Sequence, residues 1–370
     1  MSTNHPVLIT CAKEEEKEET WSNLEIGVLS MVMERLPFVD NLQFAAVCKH
    51  WHYASKTCLR KEYSQSTKHR LPWLMEIQPS KRQVINMVNN KKYSIECPPE
   101  FFPRASKKGW LLLSLSCQIS SHLIFLLNPL TKNQIELPKW SLPPFDAAIS
   151  VKDGIPNCVA IARAPGIPSP LTLQIICPTN QDKDWKRYEY NISRDYPIAS
   201  LAHLLIIDQD VYMSDRCGHV LRFNMVSSTF SEVVGLKNDE VGDINQYTLE
   251  MEGELVKIIP RYTSTTTTTP RLAHFLFYKL NQDRTEWIKL EVHELKGTSW
   301  FLQDYSQQMS SFVVKGTPKT EIFRLHMVFS LQDPKLVLRL DTYNLDILNG
   351  CGELISTREV DHPNCWVDLG

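Results

Sequence analysis

The 370-residue chain predicts a mainly-β protein, a single β-propeller preceded by a small three-helix unit. Three observations carry this. An apolar strand, a short polar turn and a second strand recur along the chain. The turns start at residues 128, 178, 224, 281 and 341, which are 50, 46, 57 and 60 residues apart. Repeats of that length, built from antiparallel strands, suit propeller blades. Apolar residues at helical spacing stand out in residues 21–62, and from about residue 71 onward the pattern is strand and turn. Pro outnumbers Gly, 22 to 13, as a fold of many turns and edges requires and a long helical bundle does not.

At 42.7 kDa the chain has room for two domains, or for one large domain and a small one. Lys plus Arg number 40 and Asp plus Glu 42, a formal net charge of -2. A protein built to bind a polyanion carries a basic excess, so nucleic acid is not an expected partner. Apolar residues make up 43% and charged residues 22%, enough to bury a core over most of the length. The ten cysteines stand singly and form no C-x-x-C pair, so a zinc ribbon lacks its ligands. The N-terminus lacks the apolar stretch of a signal peptide, and reduced thiols in cytoplasm, nucleus or both are expected.

Residues 1–20 include Lys13-Glu14-Glu15-Glu16-Lys17-Glu18-Glu19 and read as a disordered acidic tail. In residues 21–62, Leu24, Val28, Leu29, Val32 and Leu36 fall on one helical face, and Pro37 stops that helix. Asp40, with Gln43 three residues on, has the pattern of a capping box and opens a second helix. Its apolar positions are Leu42, Phe44, Ala45, Val47 and Cys48, and a third helix carries Trp51, Tyr53 and Ala54. Three helices within about forty residues have too much surface for their volume to enclose all these side chains. Part of the apolar face therefore has to meet another domain or another protein.

Trp21-Ser22-Asn23-Leu24, Val28-Leu29, Arg35-Leu36-Pro37, Asp40 and Phe44-Ala45-Ala46-Val47-Cys48-Lys49-His50-Trp51 resemble, in that order, an F-box. The resemblance implies that residues 21–62 bind a Skp-type adaptor and, through it, a cullin–RING complex. It implies contacts from Leu24, Glu25, Val28, Leu29, Val32 and Leu36 on the first helix. Further contacts are implied for Pro37, Phe44, Val47, Cys48 and Trp51. Two positions depart from the family's usual pattern: Glu25 stands where Pro is usual, and Gly27 where Asp is favoured.

Residues 63–70 read as a linker. Residues 63–95 carry separated basic pairs with few aromatics, as a solvated linker and a first strand would. Residues 109–130 hold no charged side chain and are long enough to span a bilayer. The alternation Leu113-Ser114-Leu115-Ser116-Cys117 instead predicts two strands, 110–117 and 123–127, so no membrane is expected. The repeated hairpins follow. Strand 123–127 turns at 128–133 into Ile135 and Leu137, and strand 171–177 turns at 178–184 into Trp185 and Tyr188. Strand 220–223 turns at 224–227 into Phe230 and Val233, and strand 275–280 turns at 281–284 into Trp287 and Leu290. A weaker fifth copy is strand 336–340 with a turn at 341–344. Recurrence favours a propeller over a two-sheet sandwich, and radial closure also protects the strand edges. The run 265–269 of threonines, closed by Pro270, reads as an inserted loop. Strand 71–77 is expected to complete the last blade beside 365–368, with Trp366 buried at the closure.

Leu71-Pro72-Trp73-Leu74-Met75, Gly109-Trp110-Leu111-Leu112-Leu113, Leu127-Asn128-Pro129-Leu130-Thr131 with Ile135-Glu136-Leu137-Pro138, and Tyr278-Lys279-Leu280 with Trp287 resemble the plant KIB-type β-propeller domain. That domain commonly follows an F-box, and the resemblance assigns it residues 71–370.

Catalytic motifs are broken or missing. G-x-S-x-G does not occur. Gly350-Cys351-Gly352 is followed by Ile355 where a phosphate-binding loop needs Gly, and His293-Glu294 by Gly297 where a zinc helix needs His. His362 and Cys365 are two lone ligands near the terminus. No cofactor, metal or catalytic residue is expected. Trp140, Phe145, Trp300, Phe301 and Tyr305 are candidate anchors for a protein substrate, with strand packing as the competing reading. The chain therefore reads as the substrate-recognition subunit of an SCF-type (Skp–cullin–F-box) ubiquitin ligase. An F-box scaffold that sequesters a partner is the alternative, and a propeller enzyme is the third reading.

Overall fold

The computed structural model of the chain describes residues 21–33, 36, 44, 47–62, 73–77, 82–85, 92–97, 100–115, 123–129, 131–140, 146–163, 170–180, 182–191, 201–215, 218–233, 235–236, 246–263, 271–303, 311–315, 320–329, 336–346, 351–360 and 364–367. It divides into two compact units, Met1–Thr67 and Lys68–Gly370.

In the first unit a 3-10 turn, Trp21–Asn23, leads into α1 (Ile26–Met33), and α2 spans Lys49–Glu62. The Leu29 amide donates to the Glu25 carbonyl at 3.0 Å, so Glu25 occupies the N-cap position of α1. Leu29 and Met33, four apart and hence on one face, are buried with Phe44 and Ala54. α1 covers less of the chain than the apolar spacing of 24–36 predicts. The expected second helix, from Asp40, falls largely outside the described residues, as do the acidic tail and the linker.

The second unit is built of sheets whose pairings are antiparallel but for one. β1 (Trp73–Ile77), β2 (Arg82–Ile85) and β3 (Lys92–Ile95) begin the first. β4 (Phe101–Lys107), β5 (Trp110–Leu115), β6 (Ile124–Leu127) and β7 (Gln134–Glu136) form the second. The third contains β8 (Asp146–Lys152), β9 (Ile155–Arg163), β10 (Leu171–Ile176) and β11 (Lys186–Tyr190). The fourth contains β12 (Leu201–Ile207), β13 (Asp210–Asp215), β14 (Val220–Asn224) and β15 (Thr229–Val233). β16 (Tyr247–Met251), β17 (Glu254–Thr263), β18 (Arg271–Leu280) and β19 (Trp287–Lys289) form the fifth, followed by a short α3 (Val292–Leu295). The sixth has five strands: β20 (Thr298–Gln303), β21 (Phe312–Lys315), β22 (Glu321–Phe329), β23 (Leu336–Asp346) and β24 (Cys351–Val360). Its order is β21-β20-β22-β23-β24, and β20 runs parallel to β22.

The last strand, β25 (Asn364–Val367), pairs antiparallel with β1, Leu74 opposite Trp366, and completes the first sheet. The innermost strands then close a ring. β4 lies beside β8, β8 beside β12, β12 beside β16, β16 beside β21, β20 beside β25, and β25 beside β4. The fold is a β-propeller closed by strands from the two ends of its own unit. The side chain of Trp366 is outside the described set.

The core lies between sheets. Ala105, Trp110, Leu126 and Trp140 of the second meet Ile149, Val159 and Ile161 of the third. Leu205, Ile207 and Tyr212 of the fourth meet Ile259, Tyr278 and Trp287 of the fifth. Lys107 and Glu250, from sheets opposite each other in the ring, form an ion pair at 2.6 Å.

Two turn chemistries recur. The expected hairpins at 128, 178, 224 and 281 each join the third and fourth strands of one sheet. Asn128, Asn224 and Asn281 cap three of these turns by accepting backbone N–H groups on their side-chain oxygens. First and second strands are joined at Lys108-Gly109, Asp153-Gly154 and Glu252-Gly253, all six residues at positive φ as a type I′ hairpin requires.

Two expectations are corrected. The fifth turn, 341–344, lies inside β23, whose ladder to β22 runs unbroken through Asp341–Asn344 and whose ladder to β24 continues across it with one register shift between Thr342 and Tyr343. Pairing on both sides outweighs the turn preference of Asp and Asn. The basic stretch expected as a linker and one strand holds three strands. Arg82 there is buried, donating Nη2 to the Phe101 carbonyl at 3.1 Å with its guanidinium 5.8 Å from the Phe102 ring.

Candidate functional site

The first unit has too few residues to hide its apolar side chains. α1 spends Leu29 and Met33 inward and presents Val28 and Met31, three apart, outward. Trp21, Val47 and Tyr53 are also exposed, and across these five the exposure runs from 42% at Val28 to 78% at Trp21. The helices are held by polar clamps. The His50 imidazole donates Nε2 to the Leu24 carbonyl at 2.8 Å, and the Trp51 indole donates Nε1 to the Trp21 carbonyl at 2.9 Å. The Phe44 and Trp51 rings stack with centroids 4.4 Å apart.

The residues expected to meet an adaptor divide accordingly. Leu29 and Phe44 are in the unit's own core. Leu24, Val32, Leu36, Cys48 and Trp51 are half-buried. Glu25, Val28 and Val47 are exposed, and Pro37 is outside the described residues. Trp21, Met31 and Tyr53 are exposed large side chains that the expected set omits. The spacing Val28–Met31 was the available signal for Met31, since neighbours three apart share a helical face.

In the propeller, Trp140, Trp300 and Phe301 are packing residues rather than surface anchors. Trp140 stands edge-on to Trp185 at 5.9 Å. Trp300 donates its indole N–H to Thr298 Oγ1 at 2.7 Å and packs 4.9 Å from Phe277, while Phe301 is fully buried. The reason is that β20 is covered on both faces, so successive side chains pointing opposite ways are all enclosed. Phe145 and Tyr305 are outside the described residues, as is His362.

Buried charge concentrates where the fourth and fifth sheets meet. Asp210 accepts from Asn224 Nδ2 at 2.8 Å, pairs with Arg222 Nε at 2.9 Å and also pairs with Arg284 from the β18–β19 turn. Lys257 donates to the Gly218 carbonyl at 2.6 Å and lies 4.4 Å from the Trp287 ring. Burial pushes the Lys257 ammonium down to about 8, against the opposing charge of Asp215. Gly218 has φ +91, where any other residue would be strained, and a Cβ there would sit 2.0 Å from Gln246 Oε1 and displace that amide. His219 Nδ1 and Asp215 Oδ2 are 2.8 Å apart, and Asp215 Oδ1 also accepts the His219 amide at 2.9 Å. That pair closes the β13–β14 turn. Among the described residues no three His, Cys, Asp or Glu side chains gather as metal ligands. Among them, too, no helix is long and apolar enough to cross a membrane.

Residues 83–329 match the family model of the KIB1-4 beta-propeller. The chain belongs to that family. Residues 21–63 of this KIB-type propeller protein match the F-box domain, which makes it a plant F-box protein with a KIB propeller. An F-box/kelch-repeat protein of Arabidopsis thaliana is 35% identical over 129 residues, 34% of each chain. An F-box protein of the same plant is 31% identical over 129 residues, 34% of this chain and 32% of that one. The KIB-type chain thus spans about a third of the length of these curated relatives. Among solved structures, TolB from Acinetobacter baumannii aligns over 86% of this chain and 72% of its own, at 8% identity and a TM-score of 0.45. A 6-phosphogluconolactonase-like protein from Bacteroides fragilis aligns over 82% of this chain and 99% of its own, at 9% identity and a TM-score of 0.39.

Proposed function

We propose that this F-box protein is the substrate-recognition subunit of an SCF-type ubiquitin ligase. The F-box unit holds a Skp-type adaptor, and the propeller binds the protein to be modified. The observation that carries the reading is the outward apolar set Trp21, Val28, Met31, Val47 and Tyr53 on a unit matching an F-box. Burying one such side chain on a partner is worth roughly 1.5–3 kcal/mol, enough for a specific contact from two or three of them. The mechanism is proximity: the subunit does no bond chemistry and raises the local concentration of substrate beside the ubiquitin-carrying enzyme.

One observation keeps a second reading in view. Glu25, at the N-cap where the family usually has Pro, is exposed and places a carboxylate at the edge of the proposed face. A protein that holds a partner without joining a ligase is the outcome if that charge prevents adaptor binding. Mixing the full chain with a purified Skp-type adaptor and a cullin decides between them. A three-component peak in gel filtration supports the ligase subunit. Failure of the adaptor to bind at micromolar concentrations, restored by Glu25→Pro, supports the scaffold.

A further inference from the structure

Two cysteines outside the proposed adaptor face flank the end of a ladder. The β9–β10 register runs Thr172 opposite Arg163 through to Ile176 opposite Val159, and Cys177 and Cys158 are the residues that directly follow and precede that last pair. Opposed antiparallel residues have Cα atoms about 4.5–5.5 Å apart and side chains on the same face. A disulfide requires about 4.4–6.8 Å, a range that includes the spacing of opposed residues. Both are free thiols, and Cys177 packs against the buried cluster that contains Cys158. Cys158 is buried, with its Sγ 3.7 Å from Met225 Sδ of the neighbouring sheet, whereas Cys177 reaches the surface.

We infer that Cys177 and Cys158 are a peroxide-sensitive thiol pair, Cys177 being oxidised first and Cys158 resolving it to a cross-strand disulfide. The asymmetry of the two sites supports the order. The neighbouring Cys158 thiol holds the Cys177 thiol down to about 7, although burial and Asp182 act the other way. Asp182 accepts the Cys177 amide at 3.1 Å, and Lys186, 3.4 Å from Asp182, offsets its charge. The adjacent Cys177 thiol, with burial, pushes the Cys158 thiol up. An accessible thiolate beside a second thiol is the arrangement found in redox-sensing cysteines.

The step balances. The Cys177 thiolate attacks one oxygen of hydrogen peroxide and breaks the O–O bond, giving a sulfenic acid and hydroxide, which takes a proton to become water. The Cys158 sulfur then displaces the sulfenic hydroxyl, which leaves as water with the Cys158 proton. Two thiols and one peroxide become one disulfide and two waters.

The test uses the reduced full chain, one equivalent of hydrogen peroxide, alkylation of remaining thiols, and peptide mass spectrometry. Cys97 serves as the internal reference, because burial pushes its thiol up to about 11. The expected result is a peptide pair joined through Cys158 and Cys177, formed roughly tenfold or more faster than Cys97 is modified. Cys158→Ser should leave a sulfenic acid on Cys177 that dimedone captures, and Cys177→Ser should leave Cys158 reduced. Modification of Cys97 as fast as Cys177, a persistent sulfenic acid in the unsubstituted chain, or a disulfide from Cys177 to another cysteine overturns the inference.

Discussion

The two units dispose of their large apolar side chains in opposite ways. Around α1 and α2 the buried set is Leu29, Met33, Phe44 and Ala54, while Trp21, Val28, Met31, Val47 and Tyr53 remain largely in solvent. In the propeller Trp73, Trp110, Trp140, Trp287 and Trp300 are all buried. Size accounts for the difference. Two short helices enclose little volume, whereas each propeller sheet is covered by a neighbour on both faces. The lesson concerns where contact energy is available. An exposed aromatic in the first unit presents surface that a partner could cover, and a buried one in the propeller is committed to holding sheets together.

The largest expected effect comes from opening the ring. Removing residues 363–370 takes away β25, its pairing with β1, and the strand lying between β4 and β20. The melting temperature of the propeller should fall by several degrees or more, as expected for a loss of roughly 3–5 kcal/mol. Shortening the chain between Thr263 and Arg271, at the tip of the β17–β18 hairpin, should change it little, because loop closure depends weakly on length. The reverse pattern in a thermal melt contradicts the proposed closure.

Trp300→Ala and Tyr53→Ala sharpen the contrast next. The first empties a core site and should cost about 3–5 kcal/mol in chemical denaturation, whereas the second should stay within about 0.5 kcal/mol. Equal losses would mean that Tyr53 is packed and that the first unit is not the exposed one.

Lys257 gives a pH signature that the first unit should lack. Its folded value, about 8, lies below the ordinary lysine value of 10.5, so the unfolded chain binds more protons between those limits. Stability therefore rises as pH goes from about 8 to about 10, and the penalty is fully present below pH 8. Lys257→Met should flatten that rise in the difference between variant and unsubstituted protein, measured by denaturant titration at each pH.

The smallest effect is in α1. Nothing lies within 4 Å of a Cβ built on Gly27, which is in the first helical turn. Gly27→Ala should stabilise the first unit by about 0.5–1 kcal/mol through helix propensity alone. Gly27→Asp should also stabilise it, by favourable interaction with the helix N-terminus. Amide exchange of α1 reads either change.

Much of the propeller was legible because its turns use residues with one strong local preference. Asn128, Asn224 and Asn281 announce hairpins, and with the turn at Pro178 four consecutive sheets follow from them. The x-Gly turns at 109, 154 and 253 carried a second periodic signal of equal value that the strand–turn pattern alone did not use. β1–β3 were obscured because Glu76 and Arg82 are charged yet buried, with Lys92 2.8 Å from Glu76 and Arg82 bonded to Phe101. Such partners are distant in sequence and cannot be read from a local window. The proposed adaptor face was legible as a surplus of apolar residues but not in its orientation. Leu24, Val28, Leu29 and Val32 share one broad face on a helical wheel, and only packing decides that Leu29 turns inward and Val28 outward.

That division can be measured on the full chain by titrating a Skp-type adaptor in a calorimeter. The double variant Val28→Asp with Met31→Asp changes two exposed positions, so the protein should fold normally and melt as before. Placing charges in a contact that should be dry ought to weaken adaptor binding by at least tenfold, about 1.4 kcal/mol. Unchanged affinity in a variant that melts normally contradicts the proposed adaptor face, and with it the assignment of Val28 and Met31 as its contacts.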